Sequence, residues 1–180
     1  MMVIEDWRPP IVEMVMVKRD LAGYDPQNAF PNHLPEVAAP PQKIDETEQS
    51  LAIVLDPEHR AFLSFADGWK CFHQHVTLLS TSELIAGPLR DAALEAFEYA
   101  PEALEELGRT ADGVLPIAAS LEQADVFVMP IDDGVVGERL YWLAEGAVID
   151  TFESFGQYFV SMIEYTRRRI SKLAQSAPQA

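Results

Sequence analysis

Three residues with metal-binding side chains, Cys71, His73 and His75, alternate along a short stretch of the chain. Successive side chains of a β-strand point to opposite faces, so in a strand these three would lie on one side. Thiolate and imidazole are preferred ligands of Zn²⁺, and the pattern therefore makes a metal-dependent hydrolase one candidate function. A tetrahedral site needs a fourth ligand, which His33 or His59 would have to supply from a distant part of the chain. The simpler interpretation is a buried free thiol beside histidines at the start of a strand, and we predict no metal, no cofactor and no catalytic residues.

A second pattern consists of acidic residues spaced four, three, four and three positions apart, which places them on one side of a helix. The five residues are Asp91, Glu95, Glu98, Glu102 and Glu105. Such a stripe could imitate a phosphate backbone and occupy the basic groove of a partner. The alternative is an ordinary solvated face of an amphipathic helix, and Pro101 is expected to divide that helix into two pieces. We predict that these five residues bind a protein partner.

Motifs typical of other enzymes are missing from the sequence. No serine lies in a Gly-x-Ser-x-Gly elbow, and there is neither a glycine-rich phosphate loop nor a His-Glu-x-x-His pattern. The segment Asp132-Asp133-Gly134 lacks the further oxygen ligands of an EF-hand loop, so it predicts a hairpin turn rather than a calcium site. The sequence therefore does not predict an enzyme.

The composition is that of an acidic globular protein. Twenty-nine acidic residues outnumber 13 basic ones, the formal net charge is −16, and 48% of the residues are hydrophobic. A chain of 180 residues favours one domain with its own core. Because a negative field repels nucleic-acid phosphates and anionic lipids, we expect binding to neither, whereas a basic protein would be attracted. Simple solubility accounts for the charge equally well.

The cysteine content and the first residues indicate a compartment. The single cysteine, Cys71, excludes a disulfide within the chain and is typical of a reducing environment. The N-terminal segment lacks the basic start and the apolar run of a signal peptide, and its longest apolar stretch is too short to span a bilayer. We therefore predict a cytoplasmic protein.

The elements that must position these residues begin with an apolar segment over residues 1–23. Pro9-Pro10 favours a helix start, although a strand also fits the pattern. The predicted buried face of this helix consists of Ile11, Val12, Val15 and Met16. Residues 24–42 contain five prolines and predict an extended segment on the domain surface.

Two short helices follow, and their starts are marked by capping residues. The first is predicted to start at a capping box of Asp45 and Glu48, and the second at Asp56-Pro57. Further on, the composition of residues 88–108 is strongly helical. Short strands are predicted at residues 75–80, 114–118, 125–129, 139–143 and 147–150.

The chain is predicted to end in a long helix that starts at a second capping box, Asp150 and Glu153. Its buried stripe is expected to consist of Phe152, Phe155, Phe159, Met162, Ile163 and Ile170. Helices, then short strands, then a helix predict an α+β fold. In this fold an antiparallel sheet of about four to six strands packs with N-terminal helices and a long C-terminal helix.

Three stretches of the sequence resemble the SUKH superfamily, in the order in which that superfamily has them. They are residues 44–48 with 55–69, which end in Phe65-Ala66-Asp67-Gly68-Trp69, then Leu115-Pro116-Ile117-Ala118, and last the stretch from Thr151 to Phe159. Asp56 is inserted between Leu55 and Pro57, Asp67 replaces the usual Asn, and the Gly-Asp step after the middle stretch is missing. The resemblance implies a SUKH-like α+β domain over residues 44–175. Residues 1–43, which hold the apolar element and the proline-rich segment, would pack on it.

What the resemblance implies about function is a protein-binding module without a catalytic residue set. The superfamily includes bacterial immunity proteins that neutralise toxins, and fungal regulators of cell-wall assembly that act as scaffolds. We therefore predict an immunity protein that sequesters a basic toxin domain, with a regulatory or scaffold module as the alternative and a metal-dependent hydrolase as a second one. The identity of the partner, the oligomeric state and the role of residues 24–42 stay open.

Overall fold

An antiparallel sheet, with helices before, between and after its strands in sequence, forms the frame of the molecule. The computed structural model describes residues 3–176. The helices are α1 (Arg8–Gly23), α2 (Pro41–Leu51), α3 (Pro57–Leu63), α4 (Thr81–Ile85), α5 (Pro88–Tyr99), α6 (Glu102–Glu106) and α7 (Phe155–Ser176). The strands are β1 (Trp69–His73), β2 (Val76–Leu78), β3 (Val114–Ala119), β4 (Val126–Asp132), β5 (Val135–Val136), β6 (Leu140–Ala144) and β7 (Ala147–Phe152). The main path of the sheet is β1-β2-β3-β4-β6-β7, and β5 pairs with β4 beside it. The predicted α+β class is confirmed.

The predicted hairpin turn joins β4 to the short strand β5. Asp133 and Gly134 have φ angles of +51° and +76°, the left-handed conformation that a two-residue hairpin turn requires. Strand β1 is not among the predicted strands, because its pairing with β2 is irregular and Cys71 has a φ of +47°. Such a bulge interrupts the alternation of buried and exposed residues by which strands are recognised.

The N-terminal element is a helix, but it buries a different face from the predicted one. Its buried residues are Met14, Val17, Lys18 and Leu21, whereas Val12 and Met16 are exposed. The prediction was wrong because Lys18 enters the protein interior, where its ammonium group donates to the carbonyl oxygens of Cys71 and Phe72. A pattern based on hydrophobic residues does not expect a buried lysine.

Trp7, just before α1, lies at the centre of the aromatic core. Its ring is fully buried and stands 5.2–5.4 Å, centroid to centroid, from Phe62, Phe155 and Phe159. Aromatic rings at this separation in edge-on or tilted orientations stabilise one another beyond the area that they bury. The aromatic core thus joins the start of the chain to α3 and α7.

Both predicted capping boxes are wrong, and the reasons are local. Helix α2 begins earlier, at Pro41, and Asp45 and Glu48 instead bind the guanidinium of Arg60, each at 2.6 Å. Helix α7 begins later, at Phe155, because Asp150 lies in β7. The hydroxyl of Ser154 accepts the amide of Gln157 at 3.1 Å in place of the predicted cap.

Two predictions about these helices are confirmed. The Asp56 carboxylate accepts the backbone amides of Glu58 and His59 and so caps α3, as its place before a proline indicates. The stripe of α7 is buried at Phe155, Phe159, Met162 and Ile163. Phe152 is buried as well, but as part of β7, and Ile170 is only partly buried.

The proline-rich segment has no regular secondary structure from residue 31 to residue 40 and lies near the outer edge of β1. Glu36 donates its amide to the Gly68 carbonyl, and Asp67 donates its amide to the Val37 carbonyl. The indole of Trp69 donates to the carbonyl of His33 at 2.8 Å. The segment thus binds residues at the start of β1, while Lys18 occupies two carbonyl groups of β1 that an open edge strand would leave free. Among the described residues, no helix has the length and hydropathy needed to cross a bilayer.

Candidate partner-binding surface

The five predicted acidic residues are all exposed, but they lie on two helices rather than one. Asp91, Glu95 and Glu98 are on α5, and Glu102 and Glu105 are on α6. The helix is interrupted at Ala100, with φ −138° and ψ 76°, directly before Pro101. The expected division at Pro101 is confirmed, and a continuous helical stripe is not formed. We refer to the surface of these five residues as the acidic surface.

Buried residues on the opposite faces of α5 and α6 hold the acidic surface in place. Helix α5 buries Leu89, Ala93 and Phe97 in the core, and α6 buries Ala103 and Leu104. Burial of a leucine or phenylalanine side chain stabilises the folded state by about 1.5–3 kcal/mol. The acidic residues are not among the buried residues of these helices, and the Glu102 carboxylate lies beside Gly146 of the turn after β6.

The acidic surface has no basic partner within the described chain. In residues 3–176, no ion pair involves any of its five carboxylates, whereas Asp45, Asp67 and Asp132 all bind a lysine or arginine. The nearest arginine in sequence, Arg90, donates to the Leu84 carbonyl at 2.7 Å instead. The negative charge of this surface is therefore available to another molecule.

An apolar groove runs along α5 beside the acidic surface. It consists of two depressions of about 390 and 580 Å³ that share Ala96, Tyr99 and Ala124. We call it the alanine groove, because its lining includes Ala92, Ala96, Ala100, Ala103, Ala124 and Ala144. Phe97, Val126 and Leu143 also line it. Tyr99 is 92% exposed, an unusual position for a large aromatic side chain.

The rim of the alanine groove carries acids and, among the described residues, no bases. Glu95 and Glu98 of the acidic surface line the larger depression, and Glu145 lines the smaller one. This groove as a whole could not be predicted from spacing along the chain, because about a third of its lining comes from the loop at Ala124 and from the turn between β6 and β7. The alanines at positions 92, 96 and 100 were a signal that could have been read, since a four-residue spacing keeps them on one helix face.

The residues of the zinc alternative do not converge. Cys71 and His75 line a separate depression of about 350 Å³, and the His75 ring lies 3.1 Å from the Glu122 carboxylate. The His73 ring is buried instead against Tyr165 and Trp142, at centroid distances of 4.8 and 6.0 Å. The expected one-sided arrangement is wrong, because the strand is irregular between Trp69 and His73. In the described residues no three histidine, cysteine or acidic side chains come together as a metal site would need.

The buried ionisable groups near these sites are held by structural contacts. Burial raises the pKa of the Cys71 thiol, which disfavours the reactive thiolate. The Asp67 carboxylate accepts the amide and hydroxyl of Thr81, at 2.6 and 3.0 Å, and the ammonium of Lys43 at 2.8 Å. Because its hydrogen bonds are directed to the chain itself, Asp67 ties α2 and α4 to the end of α3 and has a structural role.

A second buried carboxylate joins the two ends of the chain. Glu58 accepts the amides of Ile4 and Gly156, at 2.8 and 2.7 Å. A β carbon on Gly156 would lie 2.8 Å from the Glu58 carboxyl carbon, so only glycine permits this approach. The Ser154-Phe155-Gly156 start of α7 is thus explained by packing and does not form a reactive site.

Comparison with known proteins identifies the family of the chain. No curated protein matches the chain at a significant level. The family model of SMI1 / KNR4 (SUKH-1) matches residues 38–161, which include α2 to α6, the whole sheet and the start of α7. Family membership supports a role in protein interaction, in immunity or regulation. The match covers well over half of the sequence, and the chain therefore belongs to the SMI1 / KNR4 family (SUKH-1).

Proposed function

We propose that this protein is an immunity protein of the cytoplasm that neutralises a bacterial toxin domain by sequestration. Its acidic surface would cover a basic site on the toxin and so exclude the substrate of the toxin. The observation that carries the proposal is the set of five exposed carboxylates on α5 and α6. None of them is paired with a lysine or arginine in the described structure. The family supports the broader part of the proposal, an interaction role.

The mechanism is steric and electrostatic and involves no chemical step. A net charge of −16 accelerates the encounter with a basic domain, and the acidic surface orients that domain on arrival. Because exposed charges are screened over about 8–10 Å at physiological salt, the association rate should fall as the ionic strength rises. The dissociation rate should depend less on salt, since it reflects close contacts.

The test is growth protection with charge-reversed variants. The chain is co-expressed with the C-terminal domain of a toxin encoded beside its gene, and growth is compared with and without Glu95→Lys, Glu98→Lys and Glu102→Lys combined. The matched control combines Glu5→Lys, Glu46→Lys and Asp112→Lys, because these residues are exposed and lie outside α5 and α6. Both triple variants change the net charge by the same amount.

The expected result is protection by the wild type and by the control, and loss of protection by the α5–α6 variant. Protection that survives the α5–α6 reversal would show that the acidic surface is only a solvated face. Equal loss in both variants would show that total charge matters and that this surface does not. Absence of protection by the wild type, together with binding of a housekeeping protein, would favour the regulatory or scaffold role.

A further inference from the structure

The alanine groove is an apolar opening next to the acidic surface, and its shape indicates what a partner must present. Its two depressions, about 390 and 580 Å³, share Ala96, Tyr99 and Ala124 in their linings. The smaller depression is the more enclosed of the two, and its volume lies within the range of about 300–1,000 Å³ found for small-molecule sites in proteins. The small side chains along α5 leave room that a larger residue would otherwise fill.

The bottom and the rim of the groove differ in chemistry. Phe97, Val126 and Leu143 lie at the bottom and belong to the core of the molecule. Glu95 and Glu98 lie at the rim, where no basic residue of the described range 3–176 lines either depression. An occupant must therefore be apolar where it enters the groove and positively charged on either side.

Tyr99 supports an occupant of protein nature. At 92% exposure its ring is left almost entirely in water, although it stands between the two depressions and belongs to both linings. Tyrosine is enriched at the centres of protein interfaces, where its ring is buried by the partner and its hydroxyl stays hydrogen-bonded. Exposed Leu121 lines the same groove and extends the apolar area.

We propose that the alanine groove receives one large apolar anchor side chain of a protein partner, and that lysine or arginine residues flank this anchor in the partner. The inference rests on the proposed function, because it takes a basic protein as the partner and adds the side chain that gives the complex its specificity. The carboxylates would raise the association rate and orient the partner, and the buried anchor would lower the dissociation rate of the complex.

The test uses a synthetic peptide as the probe and nuclear magnetic resonance as the readout. The peptide has a central tryptophan with lysines on both sides, and the comparison peptide has serine at the centre. Each is titrated into ¹⁵N-labelled full-length protein. The tryptophan peptide should bind about tenfold more tightly than the serine peptide, because burial of the indole adds to the electrostatic attraction. Its shift changes should centre on the amides of Ala92, Ala96, Tyr99 and Ala124.

Two variants separate the groove from the acidic surface. Ala124→Phe fills the groove from an exposed loop position and should abolish the preference for tryptophan, while the weak binding of both peptides remains. Ala22→Phe, at an exposed position of α1, is the matched control and should keep the preference. The combination Glu95→Lys and Glu98→Lys should lower the affinity for both peptides to a similar degree.

The outcomes distinguish failure of this inference from failure of the proposed function. If both peptides bind equally and shift only the acidic surface, the groove is not an anchor site, but the acidic surface remains a binding surface. If shifts collect at the depression lined by Trp69 and His75, or if Ala124→Phe keeps the preference, the inference is overturned. If neither peptide shifts α5 or α6, the proposed function fails as well.

Discussion

Two parts of the molecule, which we call the flank of α1 and α7 and the flank of α5 and α6, differ in how their charged side chains are paired. On the flank of α1 and α7, Glu13 pairs with Arg167, Arg169 stacks on the Phe30 ring at 4.7 Å, and Lys18 binds backbone carbonyls of β1. On the flank of α5 and α6, none of the five carboxylates forms an ion pair in the described structure, and the Tyr99 side chain is exposed. The first flank, which we call closed, binds charged groups within the chain, although the hydroxyl of Tyr158 and the Nε of Arg169 are buried without a hydrogen-bond partner in residues 3–176. The second flank, which we call open, leaves its acidic side chains unpaired and Tyr99 exposed among the described residues. Binding capacity is therefore expected where internal pairing is missing.

The largest effect is expected on the closed flank, from Trp7→Ala. Trp7 is fully buried among three phenylalanine rings, so its removal leaves a cavity between the start of α1 and the helices α3 and α7. We expect the free energy of unfolding to fall by about 3–5 kcal/mol in chemical denaturation. Val12→Ala, at an exposed position of α1, is the control and should change it by less than about 0.5 kcal/mol. A small effect of Trp7→Ala would mean that α1 is a dispensable addition and that this flank is not closed.

The next effect concerns the contact between Gly156 and Glu58. In Gly156→Ala the new methyl group would meet the Glu58 carboxylate, so we expect a loss of about 1–3 kcal/mol of unfolding free energy. The effect should shrink when Glu58→Ala is also present, because the clash is then removed. Gly23→Ala is the matched control, since nothing in the described chain lies within 4 Å of the added carbon. Strict additivity of the Gly156 and Glu58 substitutions would contradict the proposed clash.

A third effect is a pH dependence caused by buried histidines. Burial lowers the pKa of both His59 and His73 to about 4, and for His73 the charges of Arg169 and Lys18 add to this. In the unfolded chain these rings take up protons near pH 6.5, whereas in the folded protein they stay neutral. For each histidine the free energy of unfolding therefore falls by about 1.4 kcal/mol per pH unit as the pH drops from 6.5 towards 4.

Asp56 acts in the opposite direction and must be included in the comparison. Burial raises its pKa to about 6, so the folded state holds a proton that the unfolded state loses, and stability rises as the pH falls from 6 to 3.8. In His73→Leu one of the two histidine contributions is absent. The unfolding free energy of the variant should therefore fall less steeply than that of the wild type as the pH drops from 6 to 4, by about 1.4 kcal/mol per pH unit. Denaturation at several pH values checks this. Equal slopes in the variant and the wild type would show that His73 is not held neutral.

The smallest effect is expected on the open flank. Glu95→Gln and Glu98→Gln should change the free energy of unfolding by less than about 0.5 kcal/mol, because neither carboxylate is paired within the described chain. Asp67→Ala is the contrasting variant. It should cost about 2–4 kcal/mol, because it removes three hydrogen bonds and leaves Lys43 and Thr81 without their partner. If the two glutamates proved equally costly, they would be structural residues and the distinction between the flanks would fail.

Those parts of the fold that depend on neighbours along the chain could be predicted from the sequence. Asp56 before Pro57, the turn at Asp133-Gly134 and the apolar stripe of α7 have local physical causes, and each was confirmed. The capping boxes failed because nearby alternatives, Pro41 and Ser154, start the helices instead. A spacing rule identifies residues that could cap a helix, but it does not decide between competing ones.

The remaining features depend on contacts between distant parts of the chain. The buried face of α1 was missed because Lys18 reaches carbonyls 53 and 54 residues away, and β1 was missed because of the bulge at Cys71. The five acids were recognised from their spacing, and all five are exposed although they lie on two helices. The alanine groove was not recognised, because Ala124 and the turn after β6 reach α5 only through the fold.

Partner binding on the flank of α5 and α6 is the central claim, and alanine methyl groups report on it directly. The measurement is a methyl spectrum of ¹³C-alanine-labelled protein, recorded with and without the toxin domain against which the protein protects growth. We predict shifts for Ala92, Ala96 and Ala124, and none for Ala22 or Ala39, which lie away from this flank. Shifts confined to alanine methyl groups near α1, with those of the alanine groove unchanged, would contradict partner binding on the flank of α5 and α6.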